Sequence, residues 1–141
     1  MPDAHEPALE LLLAAARRAA RRAYAPYSQF RVGAALRLKD GEIVTGVNVE
    51  NASYGMTICA ERSALVCAIA EHGPGIRIVA VAVANLSEAA SPPCGACRQM
   101  LAEFTEPGAP VAFPTADGMR VLPFSEIFPL IFELKPDQSD F

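Results

Sequence analysis

The chain has 141 residues, 52% of them hydrophobic and 20% charged, which is one domain's worth of protein with material for a single filled core. Its net charge of −4 argues against nucleic acid as the main ligand, because phosphate-backbone binding relies on many lysines and arginines. No stretch approaches the roughly 20 uninterrupted apolar residues of a membrane span, and the acidic start (Asp3, Glu6, Glu10) does not read as a secretory signal, so a cytoplasmic protein is expected.

Residues 8–23 carry apolar positions at helical spacing without breakers. Leu9, Leu12, Leu13, Ala16, Ala19 and Ala20 fall on one side, and Arg17, Arg18, Arg21 and Arg22 group on the other as a solvated face. Ala25-Pro26-Tyr27-Ser28 ends that helix. Phe30 to Leu38 and Ile43 to Glu50 read as a hairpin around the turn Lys39-Asp40-Gly41-Glu42. A loop over Asn51–Thr57 leads to a helix from about Ile58 to Glu71, closed by His72-Gly73-Pro74-Gly75. Ile76 to Ala84 is a continuous valine-rich run, expected of a central strand covered on both faces. A proline-containing loop then feeds a helix from about Cys94 to Phe104. Short strands near Val111–Phe113 and Met119–Leu122 flank the Ala116-Asp117-Gly118 turn. Ser125 is placed to cap a last short helix that Pro129 limits. Without repeats or linkers, this order predicts one α/β domain over residues 1–141, a three-layer α/β/α sandwich with a mixed central sheet of about five strands.

The four cysteines argue for metal chemistry over a disulfide framework in a reducing compartment. Only His5 and His72 could supply imidazole, one in the N-terminal tail and one at a helix end, so a metal site here has to be rich in sulfur. Cys94 and Cys97 open a helix at i and i+3, where both sulfurs reach one point and the helix start favours thiolate. Alone, that C-x-x-C fits a zinc half-site, a redox pair or neither. Cys59 opens the helix before it. If the two helix starts converge, three thiolates surround one ion and leave its fourth position open for water, the arrangement of a catalytic zinc. Cys67 lies eight residues further on, about 12 Å along the helix axis, and reads as a small core residue. Glu61 either complements the helix dipole or points at the metal's water, whose pKa zinc can lower to about 7. Arg62 could hydrogen-bond the sulfurs and draw off charge, or form a surface ion pair.

Thr57-Ile58-Cys59-Ala60-Glu61-Arg62 followed by Pro93-Cys94-Gly95-Ala96-Cys97-Arg98-Gln99 resembles the small, homotetrameric cytidine deaminases, the all-cysteine branch of the zinc-dependent nucleoside deaminases. The resemblance runs from about Tyr24 to Phe132 and includes the stretches Tyr24–Ala35 and Gly46–Ala52. It implies hydrolytic deamination of cytidine and 2'-deoxycytidine to uridine and 2'-deoxyuridine, with one zinc per chain on Cys59, Cys94 and Cys97. Glu61 would carry protons between water, ring N3 and the departing amine. Phe30 would pack beside the pyrimidine, and Asn48 and Glu50 would hydrogen-bond the ribose 3'-hydroxyl. The Pro93 carbonyl and the Ala60 N–H would hold the amine and the O2 edge. Phe132 would reach over the base in a neighbouring subunit, so that active sites are shared within a homotetramer. The partner implied is a small nucleoside, with no nucleic acid and no membrane. Three rivals stand beside this reading. The first is a deaminase of an unusual cytosine nucleoside such as blasticidin S. The second is a zinc-stabilised binding module, against which Glu61 and the absence of a fourth ligand both argue. The third is a thiol–disulfide enzyme, which leaves Cys59 and Glu61 without a use.

Overall fold

A strand with no polar face has to be covered on both sides, and the valine- and alanine-rich segment Ile78–Asn85 (β3) lies at the centre of the sheet accordingly. The computed structural model describes residues 6–87 and 89–134. Among these, the elements in chain order are α1 (Pro7–Ala20), β1 (Val32–Leu38), β2 (Ile43–Val47), α2 (Ala60–His72), β3, α3 (Gly95–Ala102), β4 (Pro110–Thr115), β5 (Gly118–Pro123) and α4 (Phe124–Ile127), with a 3-10 turn at Tyr54–Met56. The sheet order is β2-β1-β3-β4-β5. Only β3 and β4 run parallel; β1 is antiparallel to both β2 and β3, and β5 is antiparallel to β4. No described helix is long and apolar enough to cross a membrane.

The two faces of the sheet differ in side-chain size. Ala35, Ala80, Ala82, Ala84 and Ala112 face α1 and pack with Leu9, Leu12, Leu13 and Ala16. Val32, Leu36, Val44, Val81, Val83 and Val111 face the other way, against Ala64 and Leu65 of α2, Leu101 of α3 and Phe124 of α4. The three-layer mixed sandwich expected from the sequence is therefore present. Small residues let the helices approach closely. A β-carbon at Gly33 would stand 2.0 Å from the Ala16 carbonyl oxygen of α1, and one at Gly46 would stand 2.2 Å from the Ala64 nitrogen of α2. Each glycine is thus the seat on which one helix backbone rests.

The element ends differ from expectation for local reasons. The first helix stops at Ala20 because Arg21, Arg22 and Ala23 donate to carbonyls three residues back, tightening its last turn. The second hairpin strand stops at Val47. Beyond it, the Asn48 N–H still donates to the Val32 carbonyl of β1 at 3.2 Å, and Val49 pairs with both Tyr24 and Ile58. Ser125 is not a cap: Pro123 occupies that position, and the Phe124 N–H is taken by the Ala109 carbonyl at 2.8 Å. His5 and the tail past Leu134 lie outside the described residues.

Candidate metal centre

Each metal-ligating sulfur candidate stands at a helix start. Cys59 is the N-cap of α2 and Cys94 the N-cap of α3, while Cys97 lies in the first turn of α3. Because α2 and α3 pack on the same face of the sheet, their starts converge. The three Sγ atoms lie within 4.8 Å of one another, with Cys59–Cys94 at 3.9 Å and Cys94–Cys97 at 3.5 Å. Sulfurs held about 2.3 Å from a tetrahedral zinc are separated by about 3.8 Å, so the observed spacings bracket what one zinc requires. Three thiols and no imidazole also form a soft donor set suited to zinc. Cys97 is buried, Cys59 half-buried and Cys94 exposed. Cys67 stands apart, half-buried against the core, as expected.

Within the cluster, Cys59 is the thiol poised to lose its proton. Hydrogen bonding to Cys97, reinforced by Arg62 and Cys94 against the opposing effect of burial, brings the Cys59 thiol down to about 5. The same bond pushes the Cys97 thiol up, since Cys97 keeps the shared proton. Arg62 donates through one guanidinium nitrogen to Cys59 Sγ at 3.8 Å and to the Thr57 carbonyl at 3.2 Å. Its guanidinium therefore lies in contact with sulfur. Glu61 is 5% exposed. Burial raises its carboxyl to about 7, with the neighbouring Cys59 charge acting in the same direction.

The antiparallel Val49–Ile58 pairing sets Asn48 opposite Cys59 and Glu50 opposite Thr57. The Asn48 and Glu50 side chains both serve the 27–32 segment. Asn48 accepts from the Val32 N–H at 2.9 Å and donates to the Phe30 carbonyl at 2.8 Å. Glu50 accepts from the Tyr27 and Ser28 N–H groups at 2.9 and 3.1 Å and from the Ser28 hydroxyl. The Ser28 hydroxyl bond, above all, holds the Glu50 carboxyl below its ordinary value. Glu50 also lines an open groove of about 340 Å³ with Tyr27, Ser28, Tyr54 and Thr57. Phe30 is half-buried against the core.

Pro93 is fully buried, and its carbonyl accepts from Arg98 Nε at 2.7 Å. Ala60 is the first residue of α2, where the N–H has no intrahelical acceptor. The loop between β3 and Pro93 is braced by Asn85, which accepts from the Ser87 N–H and donates to the Ala89 carbonyl. The Phe132 ring is exposed, and its carbonyl accepts from Gln99 Nε2 at 3.0 Å. Ser28, Asn85 and Arg98 are the site-supporting residues that reading the sequence missed. Ser28 lies within the matched stretch Tyr24–Ala35 and Arg98 one residue after Cys97 in the quoted motif, whereas Asn85 carried no signal.

Residues 7–111 match the family model described as the cytidine and deoxycytidylate deaminase zinc-binding region. The chain is 45% identical over 133 residues to a cytidine deaminase of Halalkalibacterium halodurans, covering 93% of this chain and 98% of that one. It is 48% identical over 103 residues to a cytidine deaminase of Mycobacterium tuberculosis, covering 73% and 74%. The fold superimposes on the crystal structure of cytidine deaminase from Burkholderia pseudomallei with a TM-score of 0.77 at 42% identity, covering 87% of this chain and 98% of that one.

Proposed function

This chain belongs to the cytidine and deoxycytidylate deaminase zinc-binding family, and we propose from that premise how its residues divide the work of deaminating cytidine. The reaction is zinc-dependent and hydrolytic: water replaces the 4-amino group, giving uridine and ammonia, and 2'-deoxycytidine reacts in the same way. Cys59, Cys94 and Cys97 hold the ion. Bound there, zinc supplies the Lewis acidity that brings a proton of water within reach of a carboxylate near neutral pH. Glu61 takes that proton and passes it to ring N3 as the water oxygen adds to C4. It then takes the proton of the new C4 hydroxyl and gives it to the departing nitrogen, so that the C4 carbonyl forms as the C–N bond breaks and ammonia leaves as a neutral molecule. A carboxyl held up near 7 suits a group that must both accept and give a proton.

The other residues orient the nucleoside. The Pro93 carbonyl has a second lone pair beside the one used by Arg98, and this accepts from the 4-amino group. The Ala60 N–H meets the O2 edge. Phe30 packs along the pyrimidine, while Glu50 and Asn48 face the ribose 3'-hydroxyl with the hydrogen-bonding capacity their loop contacts leave. The whole chain acts as one domain within a cytoplasmic homotetramer. Exposed apolar side chains support that assembly: Tyr54, Met56, Leu130, Phe132 and Leu134 all stand in solvent in the single chain. Phe132 then completes a neighbouring subunit's site. The observation that carries the reading is the convergence of three sulfurs beside a buried carboxyl.

Cytidine turnover followed by ultraviolet absorbance, with zinc assayed in the same sample, tests it. Conversion with about one zinc per chain is expected, and full zinc occupancy without conversion would discard the substrate. In parallel, Glu61→Gln should lower kcat by about a hundredfold or more while zinc stays bound. Retained turnover would remove Glu61 from its role.

A further inference from the structure

The loop that brings Cys94 to the centre turns at a buried proline. Proline has no N–H, so the residue before Cys94 offers only a carbonyl with which to anchor the turn. Arg98 takes it. Its Nε donates to the Pro93 carbonyl at 2.7 Å, and its Nη1 donates to the Ile127 carbonyl of α4 at 2.6 Å. Both bonds are short for N–H···O contacts, as charge-assisted bonds are. Ile127 is buried in the core with Phe124, so its carbonyl is a fixed post. The next residue, Gln99, holds the Phe132 carbonyl, so adjoining side chains of α3 grip the C-terminal segment at two points.

We propose that Arg98 is a positioning residue for the metal loop, its fork tying Pro93–Cys94 to the core-anchored end of α4 and so holding Cys94 in ligating position. Cys94 needs such support more than the other two sulfurs. Cys97 is fixed by burial and Cys59 is gripped by Arg62, whereas Cys94 is exposed and makes no side-chain cap bond to α3. A lysine could not replace the fork, because one ammonium on a flexible stem lacks the planar pair of donors that reaches both carbonyls. This inference rests on the sulfurs being zinc ligands, and is independent of the substrate.

The test is release of zinc from the intact holoenzyme to a chromogenic chelator, well below the thermal midpoint, with no nucleoside present. Arg98→Met and Arg98→Lys are compared with wild type and with Arg77→Met. Arg77 binds the Glu103 carbonyl and pairs with Glu106, so its loss removes a guanidinium staple at the far end of α3. Arg98→Met should release zinc about 10- to 100-fold faster than wild type, with Arg98→Lys also faster. Arg77→Met should lower the midpoint and leave the release rate unchanged. Should the methionine variant not fold, the lysine variant decides. Wild-type release from the Arg98 variants, or equal acceleration in Arg77→Met, would overturn the proposal. A wild-type protein that binds no zinc would sink the metal reading first, and this one with it.

Discussion

Gly46→Ala should separate the position of α2 from every other property of the site. The added β-carbon would stand 2.2 Å from the Ala64 nitrogen and 2.7 Å from the Ala60 carbonyl oxygen, both backbone atoms that no rotamer change can move. Ordinary contact begins near 3.4 Å, so α2 has to retreat by about 1.2 Å, the shortfall at its closest atom. Overpacking of this kind costs about 1–3 kcal/mol of stability. The helix that retreats carries Cys59 at its cap and Glu61 in its first turn. A displacement of about 1 Å in reacting groups can cost about a hundredfold in rate. Urea denaturation and steady-state cytidine turnover, corrected for bound zinc, measure the two losses. Gly33→Ala provides the contrast. Its β-carbon would stand 2.0 Å from the Ala16 carbonyl oxygen and push α1, a helix that supplies no group to the centre. It should lose comparable stability and keep kcat within a few-fold of wild type. Wild-type stability and turnover in Gly46→Ala, or an equal loss of kcat in Gly33→Ala, would refute the reasoning.

Cys94→Ala should lose both zinc and turnover, while Cys67→Ala, outside the sulfur cluster, keeps both; metal analysis of the two purified proteins decides. Asn48→Ala strands the Phe30 carbonyl and the Val32 N–H, and should lower stability by about 2 kcal/mol in a denaturant titration, with a raised KM as the 27–32 segment loosens. Glu50 has its carboxyl held below the ordinary 4.5 in the folded chain. A depressed folded value means a stabilising contribution that is present above the unfolded value and lost as pH falls through the folded one. Thermal midpoints of wild type and Glu50→Gln should therefore differ at neutral pH and converge below 4.5; a constant gap across that range would contradict the clamp.

Much of this was legible before any coordinates. The helical spacing of apolar positions marked α1, the unbroken run Ile76–Ala84 marked the central strand, and two cysteine-bearing helix starts marked the candidate centre. What stayed hidden depends on which distant segments meet. The β1–β2 hairpin was read from its turn, but that β1 also runs antiparallel to β3 while β3 and β4 run parallel leaves no trace in local periodicity. Asn48 and Glu50 were marked through the resemblance over Gly46–Ala52. Their grip on the 27–32 segment follows only from Val49 bridging Tyr24 and Ile58. Arg98 could not be weighed because its second partner, the Ile127 carbonyl, lies 29 residues away and is brought back by β4 and β5. Ser125 was misplaced because its own N–H is tied to the Pro107 carbonyl, inside the turn and not ahead of it.

The uncapped starts of α2 and α3 carry a consequence for how the protein matures. Neither Cys59 nor Cys94 spends its side chain on the backbone donors of its own helix. The rest of each helix is secured in the core by Ala64, Leu65, Ala68 and Leu101. Chain collapse can therefore finish before the ion arrives, leaving two helix starts whose backbone donors no cap side chain satisfies. Loading is then a late fastening step that stills both ends together. Stripping the metal should raise amide exchange in the opening turns of α2 and α3, with β1 and β3 still protected.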